Sequence, residues 1–402
     1  MSGTGHNSWP LERIRYLFSE RNEKGYPEEE QLAATQHAGV VPKSQLDFKT
    51  MEAVTSDLSV FKLVESGDFV ISLRSFEGGI EYSDYRGIIS PAYTVLRPSK
   101  AINSRFFHYF LKSEWFVQGL SRHKKGIRDG QSVPFATLQD DRLSVPPLGE
   151  QTRIANFLDE QTARIDALIA EKERLVERLD EYRQAWLSGL LESPHGSITT
   201  RLKFCLATSL QYGATESGDV DAIGPRYIRI TDIGEGGSLS EDSVKFLTEE
   251  QASSYLLNDG DVLFARSGAT VGKSFVYRSD MGRAAFAGYL IRARLDQRRL
   301  LPEYLALLTE THRYWAYLRE EETQSTIQNA SAEKYANFPI ALPTVTEQRA
   351  LLVRIRPMLD NIARLGFHTA NHVAILREYR SSLISAAVTG QLDIDNFGRQ
   401  VA

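Results

Sequence analysis

The chain repeats itself. Pro147-Leu148-Gly149-Glu150-Gln151 returns as Pro343-Thr344-Val345-Thr346-Glu347-Gln348, with the two Glu-Gln pairs 197 positions apart. Carried forward, that offset sets Leu179-Asp180-Glu181-Tyr182-Arg183 on Leu376-Arg377-Glu378-Tyr379-Arg380 without a gap. Upstream the agreement is looser, as loops of different length would make it. Gly67-Asp68-Phe69-Val70 answers Gly260-Asp261-Val262-Leu263, and Leu11-Glu12-Arg13-Ile14 answers Thr199-Thr200-Arg201-Leu202. A repeat of this length calls for two like units rather than one core, which suits a chain of 402 residues.

The end of each unit is patterned as a long helix. In the first copy the apolar residues after Ile154 run Leu158, Ile165, Leu168, Leu175, Leu179, Tyr182 and Trp186. In the second they run Leu351, Ile355, Ile362, Leu365, then His372, Leu376, Tyr379 and Leu383. Steps of three and four are a heptad seam, along which two helices supercoil. Lys172 and Thr369 place a polar residue at the same seam position in both copies. The simplest arrangement is an antiparallel pair, each helix about 60 Å long at 1.5 Å per residue. Ser193-Pro194-His195-Gly196-Ser197 ends the first helix.

The globular halves mix strand and helix signals. Arg226–Ile230, Asp261–Ala265, Lys273–Tyr277 and Tyr289–Arg294 read as short strands, followed by a helix from Pro302 through Leu318. The first module keeps the order, with strands around Phe69–Leu73 and Ala92–Leu96 and a helix near Ser104–Leu120. The expected fold is therefore α+β. Two mixed α/β modules, residues 1–148 and 197–343, are each followed by a long helix, 149–192 and 344–390, with a tail at 391–402. The helices are expected to pack as an antiparallel coiled coil with pseudo-twofold symmetry.

Composition narrows the function by exclusion. No run approaches the roughly 18 apolar residues of a membrane span, and the start lacks the basic-then-apolar layout of a secretory signal. One cysteine rules out an internal disulfide framework. These features fit a cytoplasmic protein. The net charge of −5 gives bulk electrostatics no claim to nucleic acid. Gly268-Ala269-Thr270-Val271-Gly272-Lys273-Ser274 looks like a phosphate loop, but it has three residues between its glycines where the motif needs four, and it leads into a strand-like run. His368 and His372 have the spacing of paired zinc ligands without the accompanying glutamate. No catalytic or metal-binding set emerges.

Local clusters carry more. The loop above would display Arg266, Ser267, Thr270 and Lys273 between two strands, as donors for phosphates and base edges. Arg74 and Ser75 stand at the matching place of the first module. Arg122-His123-Lys124-Lys125-Gly126-Ile127-Arg128 leads into Gln131 and Ser132, and the second module has Gln324, Thr326, Gln328 and Asn329 at the corresponding point. Arg292, Arg294, Arg298 and Arg299 form a further basic group. Amide side chains suit adenine, and arginine or lysine suits guanine.

The order Tyr227-Ile228-Arg229-Ile230-Thr231-Asp232-Ile233, Gly260-Asp261-Val262-Leu263-Phe264-Ala265-Arg266-Ser267-Gly268, Leu342-Pro343 and Glu347-Gln348 resembles the target recognition domain of Type I restriction–modification specificity subunits. Pro146–Gln151 with its helix, and Ser385-Ala386-Ala387-Val388-Thr389-Gly390, resemble that family's spacer regions. The first module departs more, with Ile71-Ser72-Leu73-Arg74-Ser75-Phe76 where the second has Leu263–Gly268. The resemblance implies a non-catalytic subunit in which each module reads one half of a split, asymmetric double-stranded DNA target and the helices set the spacing. It implies two methyltransferase (M) subunits and restriction (R) translocase–nuclease subunits as partners, which would bring S-adenosylmethionine, ATP and Mg. Two other readings stay open at this point: a coiled-coil interaction scaffold, and a specificity subunit serving a fused restriction–methylation enzyme. If Lys124, Lys125 and Arg128 touch phosphates, replacing them with alanine lowers affinity for all DNA sequences alike and flattens the salt dependence. Titrations at several salt concentrations measure this, and a loss confined to one base pair would overturn it.

Overall fold

A computed structural model describes residues 9–36, 38–46, 57–73, 75–99, 102–123, 133–192, 197–234, 237–319 and 329–398. The chain divides into two compact units, Met1–Lys172 with Asn371–Ala402, and Glu173–Ala370. Both divisions fall inside a long helix, because each helix gives one part of its length to each unit.

In the first unit a four-stranded antiparallel sheet runs β2 (Phe18–Arg21), β9 (Thr94–Pro98), β6 (Phe69–Ile71), β7 (Glu81–Tyr82). All of β6 is buried. Phe69 and Ile71 join one core with Phe106, Phe107 and Phe110, while Val70 faces the other way into a cluster with Leu32, Val64 and Val95. Burial on both faces is why this strand reads as a continuous apolar run. β3 (Leu32–Thr35) and β4 (Gly39–Pro42) form a hairpin, and β5 (Lys62–Val64) pairs antiparallel with β8 (Gly87–Ile89). Helices α1 (Ser104–Lys112) and α2 (Glu114–Leu120) follow, and β1 (Leu11–Arg13) pairs with β10 (Arg142–Ser144).

The second unit repeats the order. Its sheet runs β12 (Gln211–Tyr212), β17 (Leu290–Ala293), β14 (Val262–Ala265), β15 (Ser274–Val276). Val262 and Phe264 face one core, and Leu263 and Ala265 face another. Helices α4 (Pro302–Leu308), α5 (His312–Arg319) and α6 (Ala332–Asn337) follow, and β11 (Ile198–Arg201) pairs with β18 (Pro339–Leu342). The modules part at β13 (Arg226–Ile228), which pairs parallel with β16 (Ala284–Phe286), whereas β5 and β8 run antiparallel.

Each module's expected single helix is two. Ser113 breaks the first, its hydroxyl donating to Phe110 O at 2.7 Å, and Thr311 breaks the second, donating to Leu308 O at 2.8 Å. A hydroxyl that satisfies the last turn's carbonyl lets the backbone leave the helix.

The long helices are α3 (Leu148–Leu191) and α7 (Val345–Val388). In the first unit they run antiparallel, with Arg153 paired to Asp395 and Arg380 donating to Asp166 at 2.8 and 3.1 Å. The seam has a different phase from the expected one. Leu158, Ile165, Ile355, Ile362 and Leu383 are buried, and Leu179 and Leu376 are half-buried. Leu168, Leu175, Tyr182, Leu365 and Tyr379 are between 44% and 54% exposed. The alternate seam positions lie one residue later: Thr162, Ile169 and Arg183 in α3, and Gly366, Val373 and Arg380 in α7, are buried or half-buried. The leucines alone mark a different phase because the buried face also docks on the module. Tyr109 Oη donates to Asp159 at 2.8 Å and lies 3.1 Å from the Thr162 hydroxyl, which needs that face inward. The shift is the same in both helices, so the 197-residue register holds.

Leu158→Ala is expected to cost about 2–5 kcal/mol by leaving a cavity. Leu168→Ala should change stability by no more than about 0.5 kcal/mol. Urea denaturation of the full chain compares the two, and equal losses would contradict this phase.

Candidate nucleic-acid interface

In both units the repeated glutamine ties the long helix to its module. Gln151 is buried, accepts from Asn103 N at 2.7 Å and donates to Pro146 O at 2.8 Å. Gln348 accepts from Leu301 N at 2.9 Å and donates to Pro343 O at 2.9 Å and Arg299 O at 2.7 Å. Asn103 and Leu301 are the residues capping α1 and α4. One amide thus satisfies a cap N–H and the carbonyl of the proline five residues before it. Asp68 and Asp261 also match. Asp68 accepts from Glu65 N at 2.9 Å and from Arg21 at 2.7 Å, and Asp261 from Asn258 N at 2.8 Å and from Arg294 at 2.7 Å. Burial pushes the Asp68 carboxyl upward, opposed by the Glu65 amide and Arg21. Both aspartates hold turns shut.

On this frame the second module presents a braced loop. β14 ends at Ala265, Gly268–Thr270 makes one tight turn, and β15 begins at Ser274. No helix starts there to face a phosphate, so the segment is a glycine-turned loop between strands. Two buried tyrosines anchor its base. Tyr335 Oη donates to Ala265 O at 2.6 Å and accepts from Gly272 N at 3.1 Å, while Tyr314 Oη donates to Gly272 O at 2.6 Å. Tyr335 stacks on Phe264 with centroids 4.6 Å apart. Burial pushes both phenols upward, so they stay protonated donors. Gly272 sits at φ +89°, and a Cβ there would come within 2.6 Å of Leu318 and 2.9 Å of Trp315.

Arg266 opens the loop. Its N–H donates to Tyr289 O at 3.0 Å, its carbonyl accepts from Ala330 N at 2.8 Å, and Ser267 bridges to Asn329. Its guanidinium lies over the Tyr212 ring, 4.8 Å from the centroid. Lys273 and Asn329 are exposed, and Ser267 and Thr270 are half-buried. The fold therefore gathers Arg266, Ser267, Thr270, Lys273 and Asn329 around one loop. The tyrosines that brace it carried no motif, and only their proximity in the fold reveals them.

Other candidates fare differently. Ser75 is buried and its hydroxyl accepts from Ser72 N at 2.8 Å, so it forms a turn rather than a surface contact. Arg294 pairs with Asp261 and Arg298 with Asp296, Arg292 bonds Gln211 and Leu256 O, and Arg299 bonds Phe204 O. Arg292 and Arg294 are thus turned to buried or half-buried partners, while Arg298 and Arg299 stay exposed with local ones. Arg74, Lys124, Lys125, Arg128, Gln131, Ser132, Gln324, Thr326 and Gln328 lie outside the described residues. Among the described residues no helix is long and apolar enough to cross a membrane.

Tyr314→Phe leaves the Gly272 carbonyl without that donor and should cost about 1–3 kcal/mol. Urea denaturation measures it, and an unchanged midpoint would show that the hydroxyl is dispensable.

Residues 49–178 match the Type I restriction modification DNA specificity domain. Over 316 residues, 74% of this chain and 68% of the relative, the sequence is 26% identical to the Type I restriction enzyme EcoKI specificity subunit of Escherichia coli K12. It is 23% identical to the StySPI specificity subunit of Salmonella potsdam over 74% of this chain and 67% of that one. The aligned stretch thus spans about two thirds of these relatives' length. The fold matches a chain from a structural study of type I restriction–modification complex assembly with a TM-score of 0.75 at 16% identity, covering 97% of this chain and 100% of that one. It also matches the HsdS subunit from Thermoanaerobacter tengcongensis with a TM-score of 0.53 at 16% identity, over 96% and 97% of the two chains. In its partial match to the specificity domain, in these relatives and in its fold, the chain is similar to Type I restriction–modification specificity subunits.

Proposed function

We propose that this chain is the sequence-reading subunit of a Type I restriction–modification complex, directing methylation and cleavage that partner subunits carry out. The observation that carries this is the contrast between constant and divergent parts. The glutamine tie and the seam phase recur in both copies, while the pairing of β5 with β8 and of β13 with β16, and the loops after β6 and β14, differ. Two different readers on like supports suit a split target whose halves are unlike, and the helices would set the spacing between those halves.

In this reading the chain is not itself an enzyme. Methyl transfer from S-adenosylmethionine belongs to M subunits, and ATP- and Mg-dependent translocation and cleavage to R subunits. Two M subunits are the expected number, because the outward apolar stripe also occurs twice. Leu168, Leu175 and Tyr182 line α3, and Leu365 and Tyr379 stand at the same heptad position of α7. Exposed apolar stripes on helices are interaction surfaces.

Deleting the matched heptads Lys172–Arg178 and Thr369–Ile375 keeps the seam in phase and shortens each helix by about 10 Å, about three base pairs. Methylome sequencing should show a shorter spacer between unchanged half-sites. An unaltered spacer would contradict the role of the helices.

A further inference from the structure

We propose that Arg266, held by Tyr212, reads a guanine in the half-site recognised by the second module. This rests on the reading of that module as a DNA reader and adds which residue specifies and which base it takes.

The argument starts from how little freedom Arg266 keeps. Its backbone is fixed on both sides, by Tyr289 O and by Ala330 N, and the next residue bridges to Asn329. The far end of the loop is pinned at Gly272 by Tyr314 and Tyr335. The guanidinium rests over Tyr212, a residue of the edge strand β12 whose hydroxyl accepts from Ala332 N at 3.0 Å. The platform is therefore itself tied down. Stacking on an aromatic face holds a guanidinium by cation–π attraction and removes rotamer entropy before any ligand arrives.

What the guanidinium lacks is equally telling. Its Nε is buried without a hydrogen-bond partner, which leaves the two Nη groups as the fork that can meet a ligand, and among the described residues no carboxylate pairs with it. In the same module Arg229, Arg278, Arg283, Arg294 and Arg298 each have a carboxylate. An oriented fork of N–H donors without an internal acceptor matches the O6 and N7 acceptors on the major-groove edge of guanine, the bidentate contact that arginine geometry favours. Exposed Lys273, a point charge on the same loop, suits a phosphate instead.

The test is methylation by the complete complex on targets substituted at each base pair, with the salt dependence of DNA binding measured alongside. Arg266→Lys keeps the charge and loses the fork. It should reduce preference for one G·C pair of the second half-site by about ten- to hundredfold and leave the other positions intact. Tyr212→Leu should weaken preference at that same pair by a smaller factor while Arg266 is retained, and thermal melting should show both variants folded. Preference retained in Arg266→Lys, a loss shared by all sequences with a shallower salt dependence, or a second half-site made only of A·T pairs would overturn the proposal. Alanine at Thr270, Lys273 and Asn329 separates the two levels. If these alter the second half-site and Arg266→Lys does not, the guanine assignment falls and the module's role stands. If none of the four does, both fall.

Discussion

The first turn of each long helix is tied to its module by a buried glutamine. Gln151 and Gln348 lie five residues after Pro146 and Pro343, and each joins a helix start to the capping residue of the module's own helix. Removing either amide would leave a cap N–H and a carbonyl without partners in a dry interior, at a cost of about 1–3 kcal/mol each. The consequence is geometric as much as energetic. The helix cannot rotate about its axis without breaking both hydrogen bonds, so its phase is set at its first turn. That phase determines which residues form the seam and which are left facing outward.

The outward set is where sequence reasoning slipped. Leu168, Leu175 and Tyr182 look like seam residues because they are apolar at heptad spacing, and so do Leu365 and Tyr379. A heptad pattern with apolar residues at three adjacent stripes fits two phases, and only docking decides between them. Thr162, which turns inward, and Arg380, which is half-buried, are not what a hydrophobic count selects. The duplication, the central strands and the glutamine motif were all legible, because each leaves an ordered signal in the chain. The helix breaks at Ser113 and Thr311 were not, since a single hydroxyl turning back on a carbonyl leaves no periodic trace. The arginines from Arg292 to Arg299 read as one surface cluster, whereas Arg292 and Arg294 share the face, on and just after β17, that meets Gln211, Leu256 O and Asp261, and only Arg298 and Arg299 stay exposed.

The braced loop shows the same division between support and reader. Its supports, Tyr314 and Tyr335, are buried and hydrogen-bonded to the backbone, so they fix where the loop stands without touching what it displays. The displayed residues are then free to differ, as they do in the first module, where a short helix at Ser75–Gly78 takes the place of the turn. A protein that must keep its partners while changing its target needs this separation. In the proposed reading, constant ties and seams would preserve the assembly, and loops on rigid bases would carry the specificity.

The central claim is that the two modules read independently and that the helices only join them. The most direct measurement is methylome sequencing of a strain carrying a hybrid chain, with residues 197–343 replaced by the corresponding module of a relative of known target. The account predicts that the half-site read by the second module changes to the donor's, with the first half-site and the spacer length as before. A hybrid that methylates the original sequence, or one in which both half-sites change together, would contradict it.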